Sequence, residues 1–248
     1  MPMRHMELTE ELVARTRRAM HDPGPLPGLA YQSAEDYDAM VNGLLQERPT
    51  GQPVWLFAFG SLIWKPECEH LDEMRGTAYG WRRSFCFEIR RFRATPDCPG
   101  LMMSLDRGGQ CQGMLYRLAE ETVREQLHKL CRREITIKPA NTYARWVTVD
   151  TEAGSMRAIA FVMNRKSPAY VRDPAPEHIA RVLAQACGHW GSGAEYLFNT
   201  IRGLQGHGIH DRYLWRLQSL VARQIITGGA IPAHQGDHQG NSLPDPAS

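Results

Sequence analysis

Nowhere in its 248 residues does the chain hold an apolar run of about 18, the length a membrane-spanning helix needs. It also lacks an excess of either charge. Twenty-nine basic against 27 acidic residues leave +2, so no overall field favours nucleic acid or an anionic membrane, and a basic site has to be local. It lacks a C-x-x-C pair. Cys68, Cys86, Cys98, Cys111, Cys131 and Cys187 lie scattered, a pattern of reduced thiols rather than disulfides or zinc ligands. The first twenty residues carry Glu10, Glu11, Arg15, Arg17 and Arg18 without the apolar stretch of a signal peptide, and the expected location is the cytoplasm. No internal repeat is evident. What remains is a globular chain, 42% hydrophobic, able to bury a substantial core as one domain with extensions or as two.

One stretch stands out, Val54-Trp55-Leu56-Phe57-Ala58-Phe59-Gly60-Ser61-Leu62-Ile63-Trp64-Lys65-Pro66. Its first six residues are apolar without alternation, which predicts a strand buried on both faces. The strand breaks at Gly60-Ser61, where the missing Cβ allows a sharp turn and a close approach by another group. Two readings stay open: a core strand ending in an ordinary turn, or a loop whose Gly60, Ser61 and Leu62 amides face a carboxylate or an oxyanion.

Upstream, Thr9 to Met20 reads as a short helix, and Ser33 caps a second that carries Tyr37, Met40, Val41, Leu44 and Leu45 on one face. Residues 1–50 thus form an amino-terminal helical extension. Downstream, Thr77 to Ile89 reads as one strand or two joined at Gly80. There Phe85, Phe87 and Ile89 alternate with Ser84, Cys86, Glu88 and Arg90. Leu101 to Leu105 and Gln112 to Leu118 flank a glycine-rich turn like a hairpin. A helix from about Glu120 runs to Glu134, and a second hairpin joins Tyr143–Val149 to Met156–Met163. The period then changes to helical. Pro176 opens one helix, Ser192 with Glu195 has capping-box spacing for the next, and Asp211 caps a third. Strands followed by terminal helices predict an α+β domain over 51–227 with a mainly antiparallel, closed sheet. The polar stretch 228–248 is expected to be a disordered tail.

Glu134 is the candidate for proton transfer. A carboxylate at a helix carboxyl end meets the negative end of the macrodipole while Arg132 and Arg133 favour its charge, the opposed influences that tune a general base. A solvated surface glutamate is the plainer alternative. Arg82, Arg83, Arg90, Arg91 and Arg93, interleaved with Trp81 and Phe92, are a carboxylate clamp, a nucleic-acid face or a charged strand edge. His207-x-x-His210 and His234 with His238 are weak metal signals in flexible surroundings, and no metal site is expected.

Taken together, these segments resemble the ChaC-type gamma-glutamylcyclotransferases. Phe57 to Trp64 is similar to the family's Y-G-S-L-I-W loop, and Gly80-Trp81-Arg82-Arg83-Ser84-Phe85-Cys86 to its following strand. Pro99-Gly100-Leu101-Met102 and Gly113-Met114-Leu115-Tyr116-Arg117 resemble the next two strands. Arg132-Arg133-Glu134 matches the place of the catalytic glutamate, and Glu195-Tyr196-Leu197 with Gly208-Ile209 the carboxyl-terminal helices. The likeness runs in order over about residues 54 to 225.

The resemblance implies a small β-barrel flanked by helices that cleaves a small molecule, glutathione, into 5-oxoproline and cysteinylglycine without a cofactor. It implies no nucleic-acid or membrane partner, and oligomeric state is not legible. Glu134 is then the catalytic residue, and Phe57, Ala58, Phe59, Gly60, Ser61 and Leu62 bind substrate. The family's tyrosine before Gly-Ser is Phe59 here. Tyr143 and Tyr196 are the hydroxyls considered in its place, with Tyr143 carried as a binder, although both fit a core role. Two other functions remain: a cyclotransferase for a different γ-glutamyl compound, and a non-catalytic module that keeps the pocket and holds a partner through its amino-terminal helices.

Overall fold

A computed structural model describes residues 5–228. The chain begins with α1 (Glu10–Ala14), β1 (Ala30–Tyr31) and α2 (Ala34–Gln46), then β2 (Trp55–Ala58) and the single turn α3 (Ser61–Trp64). Two 18-residue strands follow, β3 (Asp72–Ile89) and β4 (Gly100–Arg117). After α4 (Val123–Glu134) and β5 (Ile137–Lys138) comes the hairpin of β6 (Thr142–Thr151) and β7 (Gly154–Met163). The chain closes with α5 (Pro176–Gln185), β8 (Cys187–Gly188), β9 (Gly191–Ser192), α6 (Gly193–Gly206) and α7 (Arg212–Thr227). The tail expected over 228–248 lies outside the described residues from 229 onward.

Five strands close into a barrel in the order β2-β4-β3-β6-β7, and a parallel contact of β7 with β2 at Leu56 and Ile159 completes the ring. The expected α+β class with a closed, mainly antiparallel sheet is what forms. Trp55, Phe57, Trp81, Leu105, Leu115 and Val149 fill the interior, while Leu56 and Ala58 face the helices. Side chains alternate across a barrel wall. All four residues of β2 are buried because one face meets the barrel core and the other the helical layer.

Two expectations about β3 and β4 need correction. Residues 101–118 are not a hairpin but one strand paired with β3 along its length, from Asp72 opposite Arg117 to Ile89 opposite Gly100. The glycine-rich stretch is a bulge. Gly80 in β3 (φ 77°) lies opposite Gly108 and Gly109, between the pairs Tyr79–Gln110 and Trp81–Arg107, and both strands continue past it. A second shift between Phe85 and Phe87 breaks the alternation, so Phe85 and Cys86 are both buried.

The caps follow the sequence more closely. Ser33 and Asp36 form a full capping box, Pro176 opens α5, and Asp211 accepts from the Leu214 amide. Ser192 accepts from the Glu195 amide, but the Glu195 carboxylate turns instead to Arg93 (2.9 Å) and Arg17 (2.7 Å). The first helix is shorter than Thr9–Met20 because the following residues bond to the domain. The Thr16 and Ser192 hydroxyls are hydrogen-bonded to each other (2.7 Å), and Arg18 donates to the Gln185 carbonyl.

Arg83 ties these layers together. Its side chain, 2% exposed, donates through Nε to the Phe59 carbonyl (2.7 Å) and pairs with Asp211 (2.8 Å). It also donates to the Gln112 carbonyl. One guanidinium thereby holds the end of β2, the middle of β4 and the N-cap of α7. Arg83→Met, which leaves the partly buried Asp211 carboxylate and two carbonyls without this donor, is expected to cost about 3 kcal/mol in a urea unfolding titration.

Candidate active site

A cavity of about 460 Å³ opens at one end of the barrel. The β2–α3 turn supplies Gly60 and Ser61 to its wall, the end of α4 supplies Arg133 and Glu134, the β3–β4 loop Arg93, and the first turn of α6 Tyr196. A larger hollow of about 790 Å³ lies beyond Arg83. Its two carboxylates are already engaged, Asp173 by Arg82 and Asp211 by Arg83. The smaller cavity holds Glu134, whose pKa burial raises, and has the better claim to acid–base chemistry.

Gly60 permits a close approach. A Cβ built there would lie 3.0 Å from the Tyr196 hydroxyl and 3.3 Å from Met103 Cε. The Ser61 amide faces that same hydroxyl. The turn is closed by the Ile63 amide on the Gly60 carbonyl (3.0 Å) and the Lys65 amide on the Ser61 carbonyl (2.8 Å), and the first amides of such a turn have no partner within it.

Tyr196 is 3% exposed, with its ring edge-on to Trp64 and Phe85. Burial, and then the nearby Glu134 carboxylate, push its hydroxyl up to about 12, so at neutral pH it keeps its proton and can donate. Glu134 keeps a quarter of its side chain exposed. Burial raises its pKa above the ordinary glutamate value; Arg133 opposes that shift and Glu67 adds to it.

Arg133 connects the acid to the turn. Its guanidinium meets Glu134 (3.1 Å) and Glu67 (3.3 Å) and donates to Ser61 Oγ (2.9 Å) and the Lys65 carbonyl (2.7 Å). From the other side the Thr142 hydroxyl donates to the Glu134 carbonyl (2.8 Å). The carboxylate thus sits on a backbone held at both ends.

Of the residues named from sequence, Phe59, Gly60, Ser61, Leu62 and Glu134 line one cavity. Phe57 and Ala58 do not reach it, because Phe57 points into the barrel and Ala58 packs on the helical side. Tyr143 is also absent from the lining. It is 48% exposed on β6, whereas its neighbour Thr142 and, across the cavity, Tyr196 are lining residues. A signal for Tyr196 existed. A capped first turn of α6 puts Tyr196, Thr200 and Gly203 on one stripe at helical spacing, and the Trp64 indole nitrogen donates to Thr200 (3.1 Å).

The arginine stretch splits. Arg82, Arg90 and Arg91 pair with Asp173, Glu88 and Asp22, Arg83 is buried, and only Arg93 lines the cavity. His207 faces Glu73 and His210 packs at a tilt against Trp215. His234 and His238 lie outside the described residues.

A family description, ChaC-like protein, matches residues 54–224. The chain belongs to the ChaC-like family. It is 37% identical over 207 residues to the glutathione-specific gamma-glutamylcyclotransferase of Escherichia coli (strain K12), covering 81% of this chain and 88% of that one. It is 33% identical over 169 residues to the glutathione-specific gamma-glutamylcyclotransferase 1 of Mus musculus, with coverage of 66% and 75%. Among solved structures, the yeast gamma-glutamyl cyclotransferase specific to glutathione superposes with a TM-score of 0.63 at 19% identity, over 70% of this chain and 97% of that one. That likeness concerns the fold.

The electrostatics of the site can be checked without substrate. The Glu134 carboxyl, followed by NMR with a side-chain carbon label, is expected to titrate above the usual glutamate range. Glu67→Gln removes a like charge and lowers the midpoint, whereas Arg133→Gln removes a cation and raises it.

Proposed function

We propose that this chain is a ChaC-like cyclotransferase that cleaves glutathione into 5-oxoproline and cysteinylglycine. The family membership and its 37% identical relative, a glutathione-specific gamma-glutamylcyclotransferase, support the reaction. The observation that carries the assignment of residues is one cavity lined by both Glu134, with its raised pKa, and the Gly60–Ser61 turn with Tyr196.

The substrate holds its own nucleophile. Its α-amine attacks the carbonyl carbon of the γ-amide, a five-membered lactam forms, and the C–N bond to cysteine breaks. Because attacking and attacked atoms are tethered, holding them in a reactive geometry can contribute up to about 7–11 kcal/mol. Two tasks remain for the protein: moving protons and accommodating negative charge.

Glu134 takes a proton from the α-ammonium, which is inert while protonated, and returns one to the departing amine of cysteinylglycine. Transfer of this kind contributes about 10²–10⁴-fold. Burial suits the carboxylate to both halves, since a raised pKa makes it a better base when ionised and still leaves it able to release the proton. The Tyr196 hydroxyl and the amides of the Gly60–Leu62 turn donate to the oxyanion that develops on the γ-carbonyl oxygen, where a single donor can contribute about 3–4 kcal/mol. Arg93 and Arg133 give the cavity cationic walls suited to a substrate with two carboxylates.

The rate should fall on the acid side as Glu134 is protonated, with a limb above the ordinary glutamate range. Glu67→Gln should move that limb to lower pH.

Product analysis with glutathione is the test, following 5-oxoproline and cysteinylglycine together. Wild-type turnover should fall about 10²–10⁴-fold in Glu134→Gln and about 10²-fold or more in Tyr196→Phe. Equal turnover in wild type and Glu134→Gln would remove the acid–base assignment. Turnover only with other γ-glutamyl compounds would move the specificity away from glutathione. Binding without turnover of any of them would favour the non-catalytic reading.

A further inference from the structure

The amino-terminal extension touches the cavity walls from behind at three places. At the first, residues just after α1 meet the start of α6. Thr16, buried, shares a hydrogen bond with the Ser192 hydroxyl (2.7 Å), and Arg17 pairs with Glu195 (2.7 Å). Glu195 in turn holds Arg93 of the cavity wall (2.9 Å).

At the second, Asp22 receives Arg91 bidentately, at 2.9 and 2.7 Å, and lies 3.6 Å from His189. Phe92 and Trp190, the next residue after each, line the cavity with ring centroids 4.3 Å apart. Phe92 has φ 70°, a backbone region that bulky residues adopt only when their surroundings hold them there. The Trp190 amide on the Phe92 carbonyl (2.8 Å) is one restraint. The Asp22–Arg91 pair is another.

The third lies directly behind the proposed base. The Tyr37 hydroxyl donates to the carbonyl of Ile135 (3.0 Å), the residue after Glu134. The Gln32 amide donates to the Thr136 carbonyl (3.0 Å), and its side chain to the Ile137 carbonyl (2.7 Å). β1 pairs with β5, and Lys138 meets Asp36. Ile135, Thr136 and Ile137 are all cavity wall.

We propose that residues 16–37 are a strap that sets the cavity from outside, with Tyr37 positioning Glu134 for proton transfer and Asp22 positioning Phe92 and Trp190 for substrate capture. The extension is then part of the working enzyme rather than an appendage. The apolar faces that could have held a partner are already used, since Leu8, Val13, Tyr37, Val41 and Leu44 are buried in the main core cluster. Neither positioning residue touches the cavity, so each acts through the neighbour it holds.

The inference rests on the proposed reaction for its kinetic consequence and on geometry for the rest. Tyr37→Phe keeps the ring but leaves the Ile135 carbonyl unpaired beside the base. It should lower kcat about fivefold, the equivalent of one ordinary hydrogen bond, with KM unchanged. Asp22→Ala frees the aromatic pair and should raise KM severalfold with kcat unchanged, because the groups it releases face the substrate and not the reacting atoms. A strap that only stabilised the fold would lower the active fraction in both variants, leaving KM alone in each.

Hydrogen exchange on the same full-length proteins reads the strap without activity. Exchange should rise in 135–138 for Tyr37→Phe, and in 90–93 and 187–190 for Asp22→Ala, with the other wall unaffected in each. Confined exchange changes together with the split between kcat and KM support the proposal. Uniform exchange changes, no changes, or the same kinetic effect in both variants overturn it. If wild-type protein shows no turnover of glutathione while the exchange pattern is confined as stated, the proposed reaction fails and the strap stands.

Discussion

The fold and the site meet at the buried guanidinium of Arg83. Three hydrogen-bonding directions are fixed by its plane, and each reaches a different layer: the Phe59 carbonyl where β2 ends, the Gln112 carbonyl in β4, and the Asp211 carboxylate that caps α7. Such a cation is tolerated in a core only when its donors are matched. The cavity depends on this arrangement because Phe59 precedes Gly60. Fixing that carbonyl from beneath fixes the direction in which the next three amides point. Barrel closure therefore decides the orientation of the turn.

Arg133 plays the corresponding part above the turn. It joins Ser61 and the Lys65 carbonyl to Glu134, so the proposed base and the proposed oxyanion donors move as one body. It also answers an electrostatic problem. Burial and Glu67 both disfavour a charged Glu134 and raise its pKa, and the Arg133 guanidinium opposes them. The same contact that aligns the carboxylate thus also favours its charged form.

Much of this was legible in the sequence, for physical reasons that can be named. The doubly buried β2 and its Gly-Ser break were readable because an unalternating apolar run has few other fates. Asp211 and Ser192 were readable as caps because short polar side chains before a helical period act locally. The errors arose where the deciding contact is distant. Gly108 and Gly109 signal a turn by themselves, but β3 carries Gly80 opposite them, and paired glycines allow two long strands to bulge together. The arginines near Trp81 and Phe92 looked like one basic surface. Their roles diverge because their acidic partners, Asp22, Asp173, Asp211 and Glu195, come from distant parts of the chain. Tyr143 and Tyr196 differ for the same reason: periodicity allows either to be buried, and only the packing of α6 against α3 brings Tyr196 over Gly60.

The chemistry explains why so many tertiary contacts converge on so small a site. When a substrate carries its own nucleophile, the protein gains little from adding reactive groups and much from holding a flexible γ-glutamyl chain in one folded conformation. That demand falls on the walls. A tethered amine reaches its carbonyl only if the carboxylates at the two ends of the substrate are held while the base stays within reach of the ammonium. Phe92 in a strained backbone region, Glu134 on a segment bonded from both sides, and Gly60 fitted beneath a protonated tyrosine are three local costs of that demand. Each sits beside a contact that offsets it, and those contacts come from the barrel, from the carboxyl-terminal helices and from the extension. The site is small, but contacts from each of these parts of the chain hold its walls.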